Sequence, residues 1–244
     1  MFTSIQNTTF NSNTAKLTTV QTSNIGFEIP GYRVYIAESD QDKEKAYRLR
    51  HEVYCKELNW VAESENGLEI DEFDSNAKLI CVENDQQQLI GTIRVVDSTH
   101  PWLVGRYFPD TISGTTDQIK QRSAVEVSRN AILPEYRHKI LSDCRITVLD
   151  LLLATAVDCA WDLMQRRHIL VTATPVMGII LKRRGGATEQ VGPIVTMPDN
   201  CKVASFLLDL EITRDTYSLR HSCIELHEKT RLSSMSMEKQ YRTA

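Results

Sequence analysis

Four short stretches place charged and polar residues where a folding pattern alone does not require them, and together they could run acid–base chemistry on an amine. Arg50 and Trp60 flank Tyr54; Glu69-Ile-Asp-Glu-Phe-Asp74 follows; Arg94 closes Gly91-Thr-Ile-Arg94; and Glu126-Val-Ser-Arg129 lies in an alternating run. On an extended strand Glu126, Ser128 and Asn130 share one face and Val125, Val127 and Arg129 the other. A charge on each face of a central strand is costly unless paired. A carboxylate such as Glu126 can take a proton from an attacking amine, directly or through water. Backbone N–H groups beside it can stabilise an oxyanion. The same residues also fit a structural ion-pair network, with Arg50 or Arg94 bound to Asp71 or Asp74.

These residues must be positioned by an α/β scaffold. The extended run Tyr32–Ala37 follows Pro30-Gly31, and Ser39 or Asp40 can cap a helix through about Cys55 with Ala46, Leu49, Val53 and Tyr54 inward. Residues 61–75 read as an acidic loop. Two strands, 77–83 and 89–97, form a hairpin around Asn84-Asp-Gln-Gln-Gln88. An irregular stretch with Pro101, Trp102, Phe108 and Pro109 leads to the strand 123–133. The spacing then predicts a helix over 143–165, a strand at 169–173, a helix from Pro175 to Arg184 ended by Gly185-Gly186, and strands at 188–196 and 203–210. This order describes a mixed, mostly antiparallel sheet flanked by helices in an α/β/α sandwich.

The chain has 244 residues, 41% hydrophobic and 25% charged. That is enough for one core, placed at residues 31–213 between polar tails at 1–30 and 214–244. Fourteen of the first 24 residues are Thr, Ser or Asn and only Lys16 is charged, too few apolar groups to order a segment. No stretch approaches the length of a membrane span and no secretory signal opens the chain, so a soluble, cytoplasmic protein is expected. Six scattered cysteines without a C-x-x-C pair read as free thiols, and six scattered histidines predict no metal site.

Net charge is −4, unevenly spread. Residues 120–184 carry 11 basic and 6 acidic groups, whereas 61–75 hold six acids and no base. This split predicts a basic face for an acidic partner and an acidic pocket for a cationic ligand; two ordinary solvated surfaces would give the same counts. An acidic total with no basic-aromatic cluster argues against nucleic acid.

In order and spacing, Arg50-x3-Tyr54-x5-Trp60, Glu69-x-Asp71-x-Phe73-Asp74, Gly91-x-x-Arg94, Phe108 and Glu126-x-Ser128-Arg129 resemble the motifs of the bacterial autoinducer (acyl-homoserine-lactone) synthases, and the likeness extends from about residue 32 to 211. The resemblance implies a GNAT-like acyltransferase fold, an acyl-carrier-protein thioester as donor, S-adenosylmethionine as a small-molecule amine acceptor, and no cofactor. Carried over by position, it implies Glu126, Arg129, Arg94 and Asp74 as catalytic residues, with Arg50, Tyr54, Trp60, Asp71, Phe108 and Ser128 binding substrate. Thr172 and Thr174 lie on the strand that would border the acyl chain, where a hydroxyl could sense a 3-oxo group.

Tyr54 stands where the family usually has Phe, and Arg94-Val-Val-Asp97 where it has Arg-Leu-Leu-Pro. Together with Glu126-Val-Ser-Arg-Asn-Ala131, these also resemble relatives that acylate amino acids or serve exosortase-linked pathways. A carrier-binding module without turnover is the reading from outside enzymology. The segment Asn130–Lys139 has no glycine, unlike the Gly-rich pyrophosphate turn of coenzyme-A-dependent GNAT enzymes, which favours a carrier-bound donor. Arg137, Lys139, Arg145, Arg166, Arg167, Lys182, Arg183 and Arg184 are the basic residues available to such a carrier.

Overall fold

The computed structural model describes residues 25–141 and 146–216. Strands β1 (Phe27–Ile29) and β2 (Tyr32–Ile36) precede helix α1 (Asp40–Arg50). The hairpin β3 (Ala77–Asn84) and β4 (Leu89–Asp97) leads through α2 (Leu103–Tyr107) and α3 (Thr116–Gln121) to β5 (Ala124–Ile132). Helix α4 (Val148–Asp158), β6 (His168–Ala173), α5 (Pro175–Arg183), β7 (Ala187–Gln190), β8 (Val195–Thr196), β9 (Lys202–Asp209) and α6 (Leu210–Thr216) complete it. The sheet order is β1-β2-β3-β4-β5-β6-β9-β7, with β8 also on β9. Among the described residues only the β5–β6 pairing is parallel.

Alternation along the strands sorts the core into two faces. Ile80, Val82, Val125, Val127, Ile169 and Leu208 pack with α4 and with Leu181 of α5. Leu79 and Cys81 pack with Ala46 and Leu49 of α1, and Leu170 and Leu207 with Trp102, Val104 and Ile119 from the α2–α3 segment. This is the α/β/α sandwich read from the sequence, with a mixed and mostly antiparallel sheet. Among the described residues no helix is long and apolar enough to cross a membrane.

Local chemistry explains where elements begin and bend. Ser39 caps α1 by accepting from Asp42 N. Asn84 Oδ1 accepts from Gln86 N and Gln88 N and so shapes the hairpin. Helix α1 does not end at Arg50 but widens into a π-helical turn over His51–Glu57, where Leu58 N donates to Val53 O.

Several boundaries differ from the sequence reading. Phe27–Ile29 pairs with β2, inside the span expected to be tail, and α6 crosses the expected limit at residue 213. The remaining tail residues, 1–24 and 217–244, lie outside the described residues, as do 142–145. The helix expected from 143 starts at Val148, because Thr147 and Asp150 form a capping box there. The irregular stretch after β4 holds α2, a 3₁₀ turn at Pro109–Thr111 and α3, which opens on the Thr115–Gln118 capping box. The single strand expected over 188–196 is two short ones.

Gly91 illustrates how tightly the α4 layer is set. A Cβ there would stand 2.5 Å from Val148 Cγ1 and 3.3 Å from Leu152 Cδ1. Inserting a methyl into such a contact costs about 1–3 kcal/mol through displaced neighbours. We expect Gly91→Ala to lower the unfolding free energy by that amount, read as a lower urea midpoint at an unchanged slope; an unaltered midpoint would show that α4 has room to shift.

Candidate active site

Arg50 leaves the end of α1, Arg94 rises from the middle of β4, and Glu69, Asp71 and Asp74 come from the loop between α1 and β3. Arg129 belongs to β5, but not on the face that strict alternation gives it. The β4–β5 register pairs Arg94 with Ser128 and Thr92 with Ala131, so two residues of β5, Arg129 and Asn130, oppose Ile93 alone. This β-bulge puts Arg129 at φ 52°, the left-handed conformation that bulges commonly use. Beyond it the faces exchange parity: Ala131 packs with the α1 side and Ile132 with the α4 side. The expectation that Arg129 faces away from Glu126 and Ser128 is therefore corrected, because one extra residue swings it back.

The six charges form a closed, alternating ring. Arg50 donates to Glu69 and, through both terminal nitrogens, to the Asp74 carboxylate at 2.6 and 2.9 Å. Glu69 accepts from Arg129 Nε at 3.1 Å. Arg129 Nη2 is 3.0 Å from Asp71 Oδ2. Arg94 Nη1 donates to Asp71 at 2.5 Å and to Asp74 at 3.1 Å, closing the circuit. Arg50 and Arg94 are fully buried, whereas the Asp71 and Arg129 side chains remain 13% and 17% exposed and form the rim.

Three guanidinium groups thus meet three carboxylates. Three of the six acids in the loop are thus not the uncompensated charges that local counts suggest, since their bases come from residues 50, 94 and 129. Burial alone would raise the Asp74 carboxyl, but the Arg50 fork and Arg94 hold it below its usual value. The Arg50 guanidinium, penalised by burial, is raised by the same pair.

Aromatic rings wall the circuit. Tyr47, Phe73 and Tyr54 lie 5.3, 5.6 and 5.6 Å from Arg50, Arg94 and Arg129. The Tyr54 hydroxyl donates to Asn130 O, which ties it to the bulge, and burial pushes its phenol up to about 12. Trp60 is 56% exposed and tilts against Tyr54 at 6.1 Å, an open π face at the mouth. Tyr107, exposed and edge-on to Phe73 at 6.3 Å, is a second rim aromatic that sequence reasoning missed. Glu69 was legible as part of the acidic motif but not as a ring member.

Glu126 is buried on the ring side of β5, and its two oxygens accept from Leu103 N and Val104 N at 2.8 Å each. Burial raises its carboxyl above the ordinary value, although the two backbone donors and Arg94 pull the other way. Ser128 accepts from Arg94 Nε at 3.1 Å. Arg94 Nη2 is buried with no hydrogen-bond partner, a donor that the ring leaves unsatisfied.

Phe108 is not drawn to the ring; it packs half-buried against the Val96, Trp102 and Val104 cluster. Thr172 sits on β6 one residue beyond the last β5–β6 pair, Val127 with Val171. Ser128 and Thr172 therefore flank the point where the two strands part. Among the described residues no His, Cys, Asp and Glu group is arranged to hold a metal. Burial raises the Cys81 and Cys159 thiols to about 12, which leaves them poor nucleophiles at neutral pH.

Residues 49–145 match the family described as Acetyltransferase (GNAT) domain. An acyl-homoserine-lactone synthase of Aliivibrio fischeri is 30% identical over 99 residues, covering 40% of this chain and 51% of the relative. The matched region thus spans about half the length of that curated relative. TofI, solved in a ternary complex with an inhibitor and MTA, superposes with a TM-score of 0.64 at 19% identity, covering 77% of this chain and 96% of TofI. BjaI, a CoA-dependent acyl-homoserine lactone synthase solved with SAM and isopentyl-CoA, gives 0.61 at 17% identity, covering 74% and 80%.

The Glu126 geometry makes a specific expectation. A glutamine there would turn one acceptor into an NH₂ donor facing a backbone N–H, so α2 should loosen. In Glu126→Gln, hydrogen exchange at Leu103 and Val104 should accelerate about tenfold, equivalent to losing one such bond, while the β4 amides keep their rates. Unchanged exchange at both positions would show that the carboxylate does not hold α2.

Proposed function

Taking the chain as a relative of the acyl-homoserine-lactone synthases built on the GNAT fold, we propose that it is an N-acyltransferase. It moves a fatty acyl group from acyl-carrier protein to the amine of S-adenosylmethionine, and lactonisation of the product gives an acyl-homoserine lactone signal. The observation that carries this reading is the closed arginine–carboxylate ring beside the parting of β5 and β6, with Glu126 and Ser128 on the same strand face. Thioester aminolysis needs the amine held against the carbonyl and its proton removed. Arg94 Nη2 supplies a buried donor for a substrate carboxylate or carbonyl. Burial raises the Glu126 carboxyl above its ordinary value, which makes its carboxylate a stronger proton acceptor. Because both its oxygens are engaged by α2, the proton reaches it through water or after α2 swings away.

Asp71 and Arg129 meet the ligand at the rim, and Trp60 offers its face to the sulfonium. With the ring internally neutral, the sulfonium depends on Trp60 and on rim carboxylates more than on a bulk acidic field. Attack of the substrate carboxylate on the carbon beside the sulfonium would close the lactone and release methylthioadenosine, both atoms and charge balancing without a further reactant. A small apolar cavity, no larger than a water molecule, is lined by Val127, Leu153, Val157, Ile169, Val171 and Leu208 on the α4 side of the strand opening, and an acyl chain entering there would have to widen it.

A carrier-bound donor is favoured by the end of α4. There Asp150 occupies the helix N-terminus, its carboxylate accepting from Thr147 N and Oγ1 and pairing with Arg184. A pyrophosphate arriving at that end would meet an anion already in place. The pairing also removes Arg184 from the basic face. Arg137 and Arg166 are likewise spent on Glu57 and Asp97. Lys182 and Arg183 remain exposed on α5 beside the exposed Val176 and Ile179, a surface suited to an acidic, partly apolar partner.

Incubation of the purified protein with acyl-carrier-protein thioester and S-adenosylmethionine should release methylthioadenosine and acyl-homoserine lactone in equal amounts. The KM for the carrier should rise between low salt and about 0.5 M, where the Debye length is roughly 4 Å. Lys182→Glu with Arg183→Glu should raise it further at little cost to saturated rate. Acylated amino acid without methylthioadenosine would favour an N-acyl amino acid synthase or exosortase-associated role. Equal efficiency with acyl-coenzyme A would overturn the donor assignment, and carrier binding without any product would overturn catalysis.

A further inference from the structure

Behind Thr172 runs a line of hydroxyl groups that acyl transfer itself does not require. Thr172 Oγ1 lies 2.7 Å from Ser205 Oγ on the neighbouring strand β9. Ser205 Oγ lies 2.7 Å from Thr111 Oγ1, in the 3₁₀ turn that follows α2. Thr111 Oγ1 is 2.6 Å from the carbonyl oxygen of Phe108. Ser205 and Thr111 are fully buried, so no water competes for these contacts. Two further backbone bonds keep the turn on the sheet: Ser113 N donates to Val191 O and Val191 N to Ser205 O.

The direction of every proton follows from the last link. A carbonyl oxygen only accepts, so Thr111 donates to Phe108 O and has no second proton. Thr111 must then accept from Ser205, and Ser205, its one proton used, must accept from Thr172. Thr172 is thereby committed inward and offers the strand opening lone pairs alone. Ser128, across the opening, is set the other way: it accepts from Arg94 Nε and keeps its proton to give. The two hydroxyls flanking the opening thus have opposite polarity, one fixed by a guanidinium and the other by a carbonyl three links away.

We propose that the Thr172–Ser205–Thr111 relay sets which acyl groups the site takes, and that Ser205 and Thr111 are positioning residues for this selectivity. Resting on the acyl-transfer reading, the assignment is that an acyl group with a hydrogen-bond donor near the thioester, a 3-hydroxyacyl chain, is favoured over its 3-oxo counterpart. A keto oxygen at Thr172 meets lone pairs. Satisfying it requires reversing all three hydroxyls and takes the Thr111 hydroxyl from the Phe108 carbonyl, which keeps only the Thr111 N–H. This is opposite to the sensing of a 3-oxo group that a bare threonine on this strand suggests.

The test is kcat/KM for 3-hydroxy, 3-oxo and unsubstituted acyl-carrier-protein thioesters of one length, in the parent and in Ser205→Ala, Thr111→Val and Thr111→Ser. The parent should prefer 3-hydroxy over 3-oxo by about tenfold, the value of one well-made hydrogen bond against one unmade. Ser205→Ala and Thr111→Val each free the Thr172 proton and should bring the ratio to about one or below, although neither side chain touches substrate. Thr111→Ser retains the hydroxyl and should restore the parent ratio. Taking each ratio within one variant cancels any general loss of folded enzyme. A parent that prefers 3-oxo chains, or a ratio unmoved in Ser205→Ala and Thr111→Val while the unsubstituted donor still turns over, would overturn the relay and leave acyl transfer standing. Failure of all three donors in the parent would overturn both.

Discussion

Burying two guanidinium groups beside the central strands is affordable only if every charge is met, and that requirement organises this protein. Arg50 and Arg94 are fully buried, and each would cost several kcal/mol unpaired. The alternating ring with Glu69, Asp71, Asp74 and Arg129 removes that cost and, in doing so, fastens a loop of irregular backbone to one helix and two strands. The loop has little apolar surface of its own to hold it. Its order comes from three carboxylates whose partners lie about 20 to 60 residues away in sequence.

The bulge in β5 is the geometric condition for the ring. Without the extra residue, alternation would send Arg129 into the apolar face beneath α4, among Val125 and Val127. With it, Glu126, Ser128 and Arg129 share one side while the strand keeps burying Val127 before the bulge and Ile132 after it. Chemistry and core packing are thereby served by one strand on opposite faces. The same strand parts from β6 just before the bulge, after Val127 and Val171. The place of Arg129 in the ring, the Glu126 carboxylate and the opening are thus consequences of nine consecutive residues.

Much of the scaffold was legible because its signals are local. The Ser39 cap, the Asn84 turn, the apolar stripe of α4 and the glycines after α5 each announce an element within a few residues. The motif residues were legible too, and seven of them, Arg50, Tyr54, Asp71, Asp74, Arg94, Ser128 and Arg129, do converge. What was not legible depends on long-range pairing. A one-residue register shift between β4 and β5 reverses the expected side of Arg129, and no local pattern marks it. Charge counting within 61–75 found acids without bases because the bases are distant in sequence. Phe108 packs half-buried against the Val96, Trp102 and Val104 cluster, while Ser205 and Thr111, unremarkable in sequence, acquire meaning only when β9 and the 3₁₀ turn bring them within 2.7 Å.

The central claim, that charge matching inside the ring holds the site, is tested most directly by a double-mutant cycle on Arg50→Met and Asp74→Leu, read by equilibrium denaturation at neutral pH. Each single substitution leaves a buried charge with one of its two ring partners, Asp74 with Arg94 or Arg50 with Glu69, and should cost about 3–5 kcal/mol. The double substitution removes both members of the bidentate pair and should cost less than the sum by about 2 kcal/mol or more, within the range seen for residues in direct contact. Strictly additive losses would contradict the account, showing that Arg50 and Asp74 are each held by something other than one another.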